Sequence, residues 1–511
     1  MHPVLRNSEL MSMISSYTHH GSLPALASTC RTIEHPALDA LWRDLQSVEP
    51  LVKCLPSDLF AIQVGGGHET SGFSSMWDTL CKYTSRVYSI SQSGRSLVME
   101  CLNLLMLSCP FIPVSLFPHL RKLTWHTDAT QHDAAFLRMA FVPSLLFLDI
   151  QISSPSFTFL SVISSLGALC PHLKDMTVKI PHANYESGDL IRKISPFIAQ
   201  PISQLNKLRK LTVWDLGDQA IKHLMQMKTL QTLSLDLIAS PVWGRRSHLQ
   251  FPGFDDSKLL RLISDKLEYV SDFLDSFQVV RTKRIDIRLT CPSENGSAIL
   301  SHFFAILKER CDNDNLSSFT FVDPLSKFPV KLDVFMSLHA YHNLSALTIW
   351  TDYGISISNQ ELCQLARAWP KLKMLNISRF ASTNQTTLHT FHGLIDLIHL
   401  CPSLIYLSLT IDTTKLNGID PQCPGGGICN NNLKKLILGN SCIDSPLNVA
   451  LILSALFPNL FQVGLDYLDK DRATMGLLPH QKKSVMDKWD KWTTVNSILG
   501  GFRVVKKRAV S

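Results

Sequence analysis

The stretch that decides the fold is Leu344-Ser-Ala-Leu347-Thr-Ile349, which returns 28 residues later as Leu372-Lys-Met-Leu375-Asn-Ile377. Both copies follow the pattern L-x-x-L-x-L, with an aliphatic residue in the last position. A sequence that repeats such a unit is organised by the repeat rather than by any single residue. Further copies begin at Leu120, Leu145, Leu173, Leu208, Leu230, Leu316, Leu404, Leu433 and Leu460, and Ile285-x-Ile287 is a degraded copy.

Each repeat is predicted to contain a strand, a turn and a helix. In the last three positions of the pattern, two apolar residues flank one position that any residue can occupy, which is the spacing of a strand. Between copies the spacing becomes helical, because apolar residues recur three and four positions apart. Ile299, Leu300, Phe303, Phe304 and Leu307 form one such stripe. A single unit of this kind cannot bury its apolar face, so neighbouring units must stack. The sequence therefore predicts an α/β solenoid, a horseshoe with a parallel concave sheet and outer helices.

The composition fits a folded intracellular protein. The chain has 511 residues, of which 45% are hydrophobic, and contains no apolar run of the length that spans a membrane. Its N-terminus lacks the charged-then-apolar pattern of a secretory signal, so a cytoplasmic or nuclear location is expected. The net charge is +7, but residues 479–511 carry eight Lys or Arg and two Asp. The rest of the chain is thus close to neutral, and a broad nucleic-acid-binding surface is not expected.

The 13 cysteines are interpreted as reduced, structural thiols. Their number is odd, and no CxxC pair is present. Cys109, Cys170 and Cys401 each precede a proline at the expected end of a helix, just before a copy of the repeat. Proline cannot continue a helix, so these cysteines occupy a fixed slot where a small apolar side chain is buried.

Residues 1–46 have a different pattern, which predicts three short amphipathic helices. The third of these is expected to begin at Pro36, since proline is tolerated in a first turn. The segment resembles an F-box at Leu5, Glu9-Leu10, Leu23, Leu26, Cys30-Arg31 and Leu41-Trp42-Arg43. It departs from that family at Arg6, where proline is usual, and at Ile33, where an aromatic residue is usual.

The remainder of the chain resembles leucine-rich repeats in their longer, helix-containing form. The stretch Leu116-Phe-Pro-His-Leu120 is similar to repeats in a subset of fungal F-box proteins. Residues 47–115 are expected to link the F-box to the solenoid of residues 116–470, with residues 64–75 as a loop. Residues 239–280 are expected to interrupt the regular repeats, as a long loop and then a helix from Leu259 to Leu274. This segment is interpreted either as a drifted repeat with a loop of no function or as a partner-contact loop carrying Trp243, Arg245 and Arg246. Residues 471–511 are expected to form a capping helix and a basic tail.

The resemblance implies that this chain is the substrate-recognition subunit of a Skp–cullin–F-box ubiquitin ligase, and not itself an enzyme. Its F-box would bind the Skp adaptor, and through it a cullin, while the repeats would hold a target protein near the ubiquitin-loaded enzyme. The alternative is a repeat scaffold outside any ligase. No nucleophile and base, phosphate-binding loop or metal-ligand spacing is evident, so no cofactor or metal is expected. The implied adaptor-binding residues are Leu5, Leu10, Ile14, Leu23, Leu26, Cys30, Leu41 and Trp42.

The target-binding surface is expected on the concave side of the sheet. In each copy of the repeat the Leu positions face the core, so the residues between and just after them face the opposite side. Large aromatic residues and arginines at such positions most often carry binding energy. The expected target-binding residues are Lys122, Trp214, Arg284, Arg288, Trp350 and Tyr406. The alternative for the aromatic residues among them is that they pack on neighbouring strands.

Overall fold

A computed structural model of the protein describes residues 7–54, 71–93, 115–127, 131–152, 156–180, 188–238, 251–291, 297–323, 330–351, 355–379, 389–438, 441–464 and 479–510. The chain divides into two compact units, Met1–Gln231 and Thr232–Ser511. Each unit contains parallel strands alternating with helices, so the predicted α/β fold is confirmed. The boundary between the units lies within the region predicted as one solenoid. Leu5, Arg6, Trp243, Arg245 and Arg246 lie outside the described residues.

The first unit begins with helices and continues as a parallel sheet flanked by helices. Its described strands, in sheet order, are Asp44–Leu45, Ser89–Ser93, Lys122–Thr127, Phe147–Ile152, Asp175–Lys179 and Lys210–Trp214. Its described helices are Ser8–Tyr17, Leu23–Ala27, Arg31–Arg43, Glu49–Lys53, Ser71–Thr84, Gln131–Ala140, Phe157–Ser164, Leu166–Leu169, Gly188–Gln204 and Asp218–Gln226, with a 3-10 turn at His20–Ser22.

The second unit repeats the same arrangement around a second run of parallel strands. These are Thr232–Asp236, Leu259–Ser264, Arg284–Leu289, Ser318–Asp323, Ala346–Thr351, Met374–Arg379, Tyr406–Leu409, Lys435–Ile437 and Val463–Gly464. Two small parallel pairs accompany them, Phe251–Ser257 with Phe277–Thr282 and Val330–Lys331 with Ile355–Ser356. The described helices are Leu267–Asp275, Ser297–Arg310, Asn359–Ala368, Phe391–Leu400, Pro446–Leu456 and Pro479–Val510, with 3-10 segments at Leu332–Ala340 and Pro424–Gly427.

The register of the strands places equivalent positions of the repeat side by side. Leu347 lies beside Leu375, and Leu407 lies beside Leu436. In the first unit the same column is formed by Ile90, Leu123, Leu148, Met176 and Leu211. These side chains are buried in the core between strands and helices. The pattern thus fixes the register, because a shift of one residue would move every apolar side chain to the open face.

Side chains in the turns also tie several repeats to the previous one. Ser144 donates from its hydroxyl to the backbone oxygen of Pro118 at 3.0 Å. Asn343 and Asn459 donate in the same way to Asp314 and Asn431, at 2.9 and 3.0 Å. Backbone carbonyls in these turns have no partner within their own strand or helix, so a bond from the next repeat satisfies them.

The prediction for residues 239–280 is wrong in part: the segment contains a repeat, and its helix is present at Leu267–Asp275, but the predicted start of that helix at Leu259 is wrong. Leu259–Ser264 is a strand rather than a helix, and it pairs in parallel with Thr232–Asp236 and Arg284–Leu289. Leu260 and Leu262 alternate with Arg261, so this segment is one more repeat whose first leucine is replaced by Ser257. Helix begins only at Leu267. A short apolar run does not distinguish strand from helix by periodicity alone.

Phe251–Ser257, predicted as part of the loop, is also a strand. It contains Gly253 at φ 116°, where a Cβ atom would meet the carbonyl oxygen of Val279 at 1.6 Å. Only glycine allows the two backbones to approach this closely. The loop assigned to residues 64–75 is likewise wrong from Ser71 onward, because the Ser71–Thr84 helix begins there.

The N-terminal helices pack on one another and on the start of the sheet. Met11, Ile33 and Ala37 form a small buried cluster, with Leu26 and Cys30 partly buried against it. The third helix begins at Arg31 rather than at Pro36, so this proline lies inside a helix. The structure describes helices in this segment, and its identity as an F-box stays a prediction.

Candidate interaction surfaces

The Ser8–Tyr17 helix carries an apolar stripe that faces solvent. Asn7 caps the helix by accepting hydrogen bonds from the backbone N–H groups of Glu9 and Leu10, at 2.9 and 3.2 Å. The exposed stripe consists of Leu10, Met13, Ile14 and Tyr17, which are 37%, 57%, 45% and 87% exposed. These positions share one helix face because a residue turns the helix by about 100°. The helix therefore has a second apolar face besides the one that Met11 buries.

The predicted adaptor-binding residues do not all reach the surface. Leu10 and Ile14 are exposed, and Leu26, Cys30 and Leu41 are partly buried. Leu23 and Trp42 are buried. The Trp42 ring stacks on Tyr83 with the ring centroids 4.6 Å apart, so it fastens the third helix to the Ser71–Thr84 helix. An aromatic residue at this position thus packs within the unit, which the sequence pattern alone does not reveal.

Two polar contacts of Arg86, which follows the Ser71–Thr84 helix, also hold the third helix in place. Arg86 forms an ion pair with Asp39 and donates to the backbone oxygen of His35 at 3.4 Å. Burial lowers the pKa of the Arg86 guanidinium. The Asp44–Leu45 strand, which directly follows the third helix, pairs in parallel with Ser89–Ser93. The N-terminal helices therefore share a core and a sheet edge with the first repeats.

The open face of the sheet follows the predicted alternation only in part, because Ser234, Asp286 and Ser408 are buried at positions expected to be open. Trp214 was expected to be exposed, but it is 1% exposed and that expectation is wrong. Its indole N–H donates to the Ser195 hydroxyl at 2.9 Å. Trp214 ends its strand, and the side chain turns toward the Gly188–Gln204 helix, where the buried N–H finds an acceptor.

The other predicted target-binding residues lie at the surface to different degrees. Lys122, Arg284 and Arg288 are exposed, whereas Trp350 and Tyr406 are partly buried. The Lys435 ammonium lies 5.9 Å from the centroid of the Tyr406 ring. These positions are spread over both compact units.

A buried carboxylate orients two arginines on the second unit's sheet. Asp286 is 7% exposed and accepts from the Nε atoms of Arg261 at 2.7 Å and Arg288 at 3.0 Å. Both guanidinium groups remain partly open to solvent, with 38% and 49% of their side chains exposed. Sequence reasoning missed Arg261 because its segment was assigned to a helix. The alternation Leu260-x-Leu262 was the signal that could have identified it.

The cysteines within the described residues are all free. Cys170 and Cys401 lie in the predicted slot before a proline and are fully buried, while Cys109 lies outside the described residues. Burial raises the pKa of both thiols to about 12. Such thiols stay protonated at neutral pH, as expected for side chains that serve packing. Cys423 and Cys429 are exposed.

Within the part of the chain that the structure describes, no group of three or more His, Cys, Asp or Glu side chains could hold a metal ion. Among the same residues, no helix has both the length and the apolar composition that crossing a bilayer requires.

Comparisons with known proteins give likenesses of fold only. No family model matches the chain, and no curated protein matches it. Among solved structures, the chain is similar to the leucine-rich repeat-containing protein LegL7 from Legionella pneumophila, with 14% identity and a TM-score of 0.31 over 61% of this chain and 97% of that chain. It is also similar to TLR13 in a complex with ssRNA13, with 12% identity and a TM-score of 0.34 over 77% of this chain. This second match spans 55% of the TLR13 chain.

Proposed function

We propose that this chain is a leucine-rich-repeat interaction protein that serves as the substrate-recognition subunit of a Skp–cullin–F-box ubiquitin ligase. In this proposal the N-terminal helices bind a Skp-type adaptor and the repeats hold a target protein. The chain performs no bond chemistry. It raises the effective concentration of the target at the ubiquitin-loaded enzyme, as tethering does in general.

The observation that carries the proposal is the exposed stripe of Leu10, Met13, Ile14 and Tyr17. Contiguous apolar patches on a soluble protein mark sites of interaction. A helix can bind a partner by laying such a stripe, at positions i, i+3, i+4 and i+7, into an apolar groove. The stripe also coincides with the segment that resembles an F-box, and Leu10 and Ile14 are among the residues for which the resemblance implies adaptor contact.

The repeats contribute the second half of the proposal. Their open face presents exposed arginines, among them Arg284 and Arg288, and partly buried aromatic residues such as Trp350. Arginines and aromatic residues are enriched among the positions that dominate binding energy at protein interfaces. The face therefore fits a protein target better than a small molecule, which would need an enclosed apolar pocket.

The test is capture of the chain by a tagged Skp-type adaptor after co-expression. The double variant Met13→Asp/Ile14→Asp is expected to abolish capture, because it places two charges in the stripe. Both side chains are exposed, so the melting temperature is expected to stay within a few degrees of the parent protein. The matched control is Phe157→Asp/Leu447→Asp, which changes two exposed apolar residues on other helices.

Capture that survives in the stripe variant would contradict adaptor binding and would favour a scaffold outside any ligase. Point variants are preferable to removal of residues 1–46. That deletion would take away Trp42 and the Asp44–Leu45 strand, which pack on the repeats. A loss of capture could then reflect unfolding instead of a lost contact.

A further inference from the structure

A cleft of about 1140 Å³ lies within the first compact unit, between the N-terminal helices and the first strands. One wall is formed by Ser12, Ser15 and Ser16 of the first helix. The opposite wall comes from the edges of the first repeats, where Tyr88, Arg121 and Phe147 lie. Arg43 and Asp44 close the cleft at the junction of the third helix and the first strand. We refer to this space as the basic cleft.

The basic cleft contains more positive than negative charge. Its lining includes Arg43, Arg86, Arg121 and Lys122 against Asp39 and Asp44. The Asp39 carboxylate is already paired with Arg86. Arg43, Arg121 and Lys122 are exposed, and within the described residues no carboxylate lies within ion-pair distance of them. Three cations in one concave site therefore face a single unpaired carboxylate, that of Asp44.

An exposed aromatic ring lies among these cations. Tyr88 is 36% exposed. The Cζ atoms of Arg43 and Arg121 lie 5.4 and 5.7 Å from its ring centroid, and the His119 ring stacks beside it at 6.0 Å. Contacts of this kind hold a guanidinium over a ring while its N–H donors stay available. Tyr88 thus holds the guanidinium groups of Arg43 and Arg121 close to one ring in the cleft.

A buried hydroxyl lacks a partner on the helical side of the cleft. Ser15 is 0% exposed, and its Oγ atom has no hydrogen-bond partner among the described residues. Buried polar groups are almost always hydrogen-bonded, so an orphan hydroxyl beside a cavity points to a group that would occupy it. A serine hydroxyl can donate to a carboxylate or to a peptide carbonyl.

We propose that the basic cleft binds an acidic peptide segment of a partner protein. Carboxylate side chains of the segment pair with Arg43, Arg121 and Lys122, and an apolar or aromatic residue packs beside Tyr88 and Phe147. The Ser15 hydroxyl donates to the segment from the wall. A nucleic acid fits less well, because such ligands need a broad run of cations and residues 1–478 are close to neutral overall.

This inference is independent of the proposed function. The serines that line the cleft and the exposed stripe lie on opposite sides of the same helix, given about 100° per residue. An adaptor on the stripe would therefore leave the cleft open. The Met13→Asp/Ile14→Asp variant separates the two ideas, because it is expected to lose the adaptor and to retain the peptide.

The experiment measures the fluorescence anisotropy of a labelled peptide of alternating Glu and Asp around one Tyr, titrated with the full chain. Saturable binding is expected, weakening at high salt because partly exposed charges are screened. Arg43→Glu/Arg121→Glu is expected to weaken it by about tenfold or more, since two attractions become repulsions. The matched control, Lys222→Glu/Lys228→Glu, changes charge equally at exposed positions of the same unit that lie outside the cleft lining, and should bind like the parent.

Binding measurements with other peptides identify the class of ligand. A peptide in which Gln and Asn replace the acids, and a Lys-rich peptide of equal length, are expected not to bind. Ser15→Ala is expected to weaken binding of the acidic peptide. It should not lower the melting temperature, because alanine has a high helix propensity. Equal binding by the Arg43→Glu/Arg121→Glu variant, no saturable binding by the parent chain, or tighter binding of a single-stranded oligonucleotide than of the acidic peptide would each overturn the proposal.

Discussion

The Pro479–Val510 helix is expected to stabilise the second unit chiefly through one residue, Trp492. This side chain is fully buried, and its indole N–H donates to the backbone oxygen of Ser441 at 3.1 Å. Trp492→Ala removes a large buried ring and leaves that carbonyl without its donor. Replacements of this kind cost about 3–5 kcal/mol, to which an unsatisfied buried acceptor contributes about 1–3 kcal/mol. The expected loss in the free energy of unfolding is therefore about 4 kcal/mol.

The assay is urea unfolding followed by circular dichroism, with Trp489→Ala as the control. Trp489 lies on the same helix but is only partly buried, so its replacement is expected to cost clearly less. A loss of under about 1 kcal/mol for Trp492→Ala, or equal losses for the two variants, would refute the idea that this helix is part of the core.

Truncation tests the same helix as a cap on the sheet edge. Asn496 pairs with the last strand, accepting from the backbone N–H of Val463 at 2.8 Å and donating to its carbonyl at 3.0 Å. A chain ending at Gly500 keeps this pair and Trp492, and among the described contacts it loses that of Arg503 with Phe461, worth about 0.5–1 kcal/mol. A chain ending before Pro479 exposes the strand edge and should be much less stable. Equal stability of the two would contradict the capping role.

Three further outcomes are expected from buried groups. Trp214→Ala should cost about 3–5 kcal/mol of stability. Trp214→Phe keeps an aromatic ring but loses the bond to Ser195 and part of the buried volume, so it should cost less than Trp214→Ala. Similar melting curves for all three proteins would show that the ring is not in the core. Burial lowers the pKa of His389, so the unfolded chain takes up its proton first as pH falls. Stability should therefore decrease as pH falls through about 6.5, the ordinary pKa of histidine. Urea midpoints should show a smaller decrease for His389→Asn, and an unchanged pH dependence would exclude a contribution from this residue. Native Cys401, with its pKa raised to about 12, should resist iodoacetamide while exposed Cys291 reacts, as peptide mass spectrometry would show; equal alkylation would mean that the Cys401 thiol is reachable.

The sequence by itself determined the strands that carry the L-x-x-L-x-L pattern, their parallel order and their register. Leu347 and Leu375 occupy equivalent positions of the repeat, and they lie side by side because each repeat must bury the same face as its neighbour. The same logic predicted the helices between strands, such as Ser297–Arg310 with its buried Phe303 and Phe304. Local periodicity is enough for these features, since identical units stack in only one register.

The tertiary structure alone decided the features that depend on distant partners. Leu259–Ser264 is a strand because strands on both of its sides offer backbone hydrogen bonds, although its apolar run also suits a helix. Trp214 is buried because Ser195, on the preceding helix, accepts its N–H. The basic cleft joins Arg43, Tyr88 and Arg121, which come from three separate segments. Periodicity reports which face of an element is apolar, whereas the partners of a polar or aromatic side chain follow from which elements the fold places next to it.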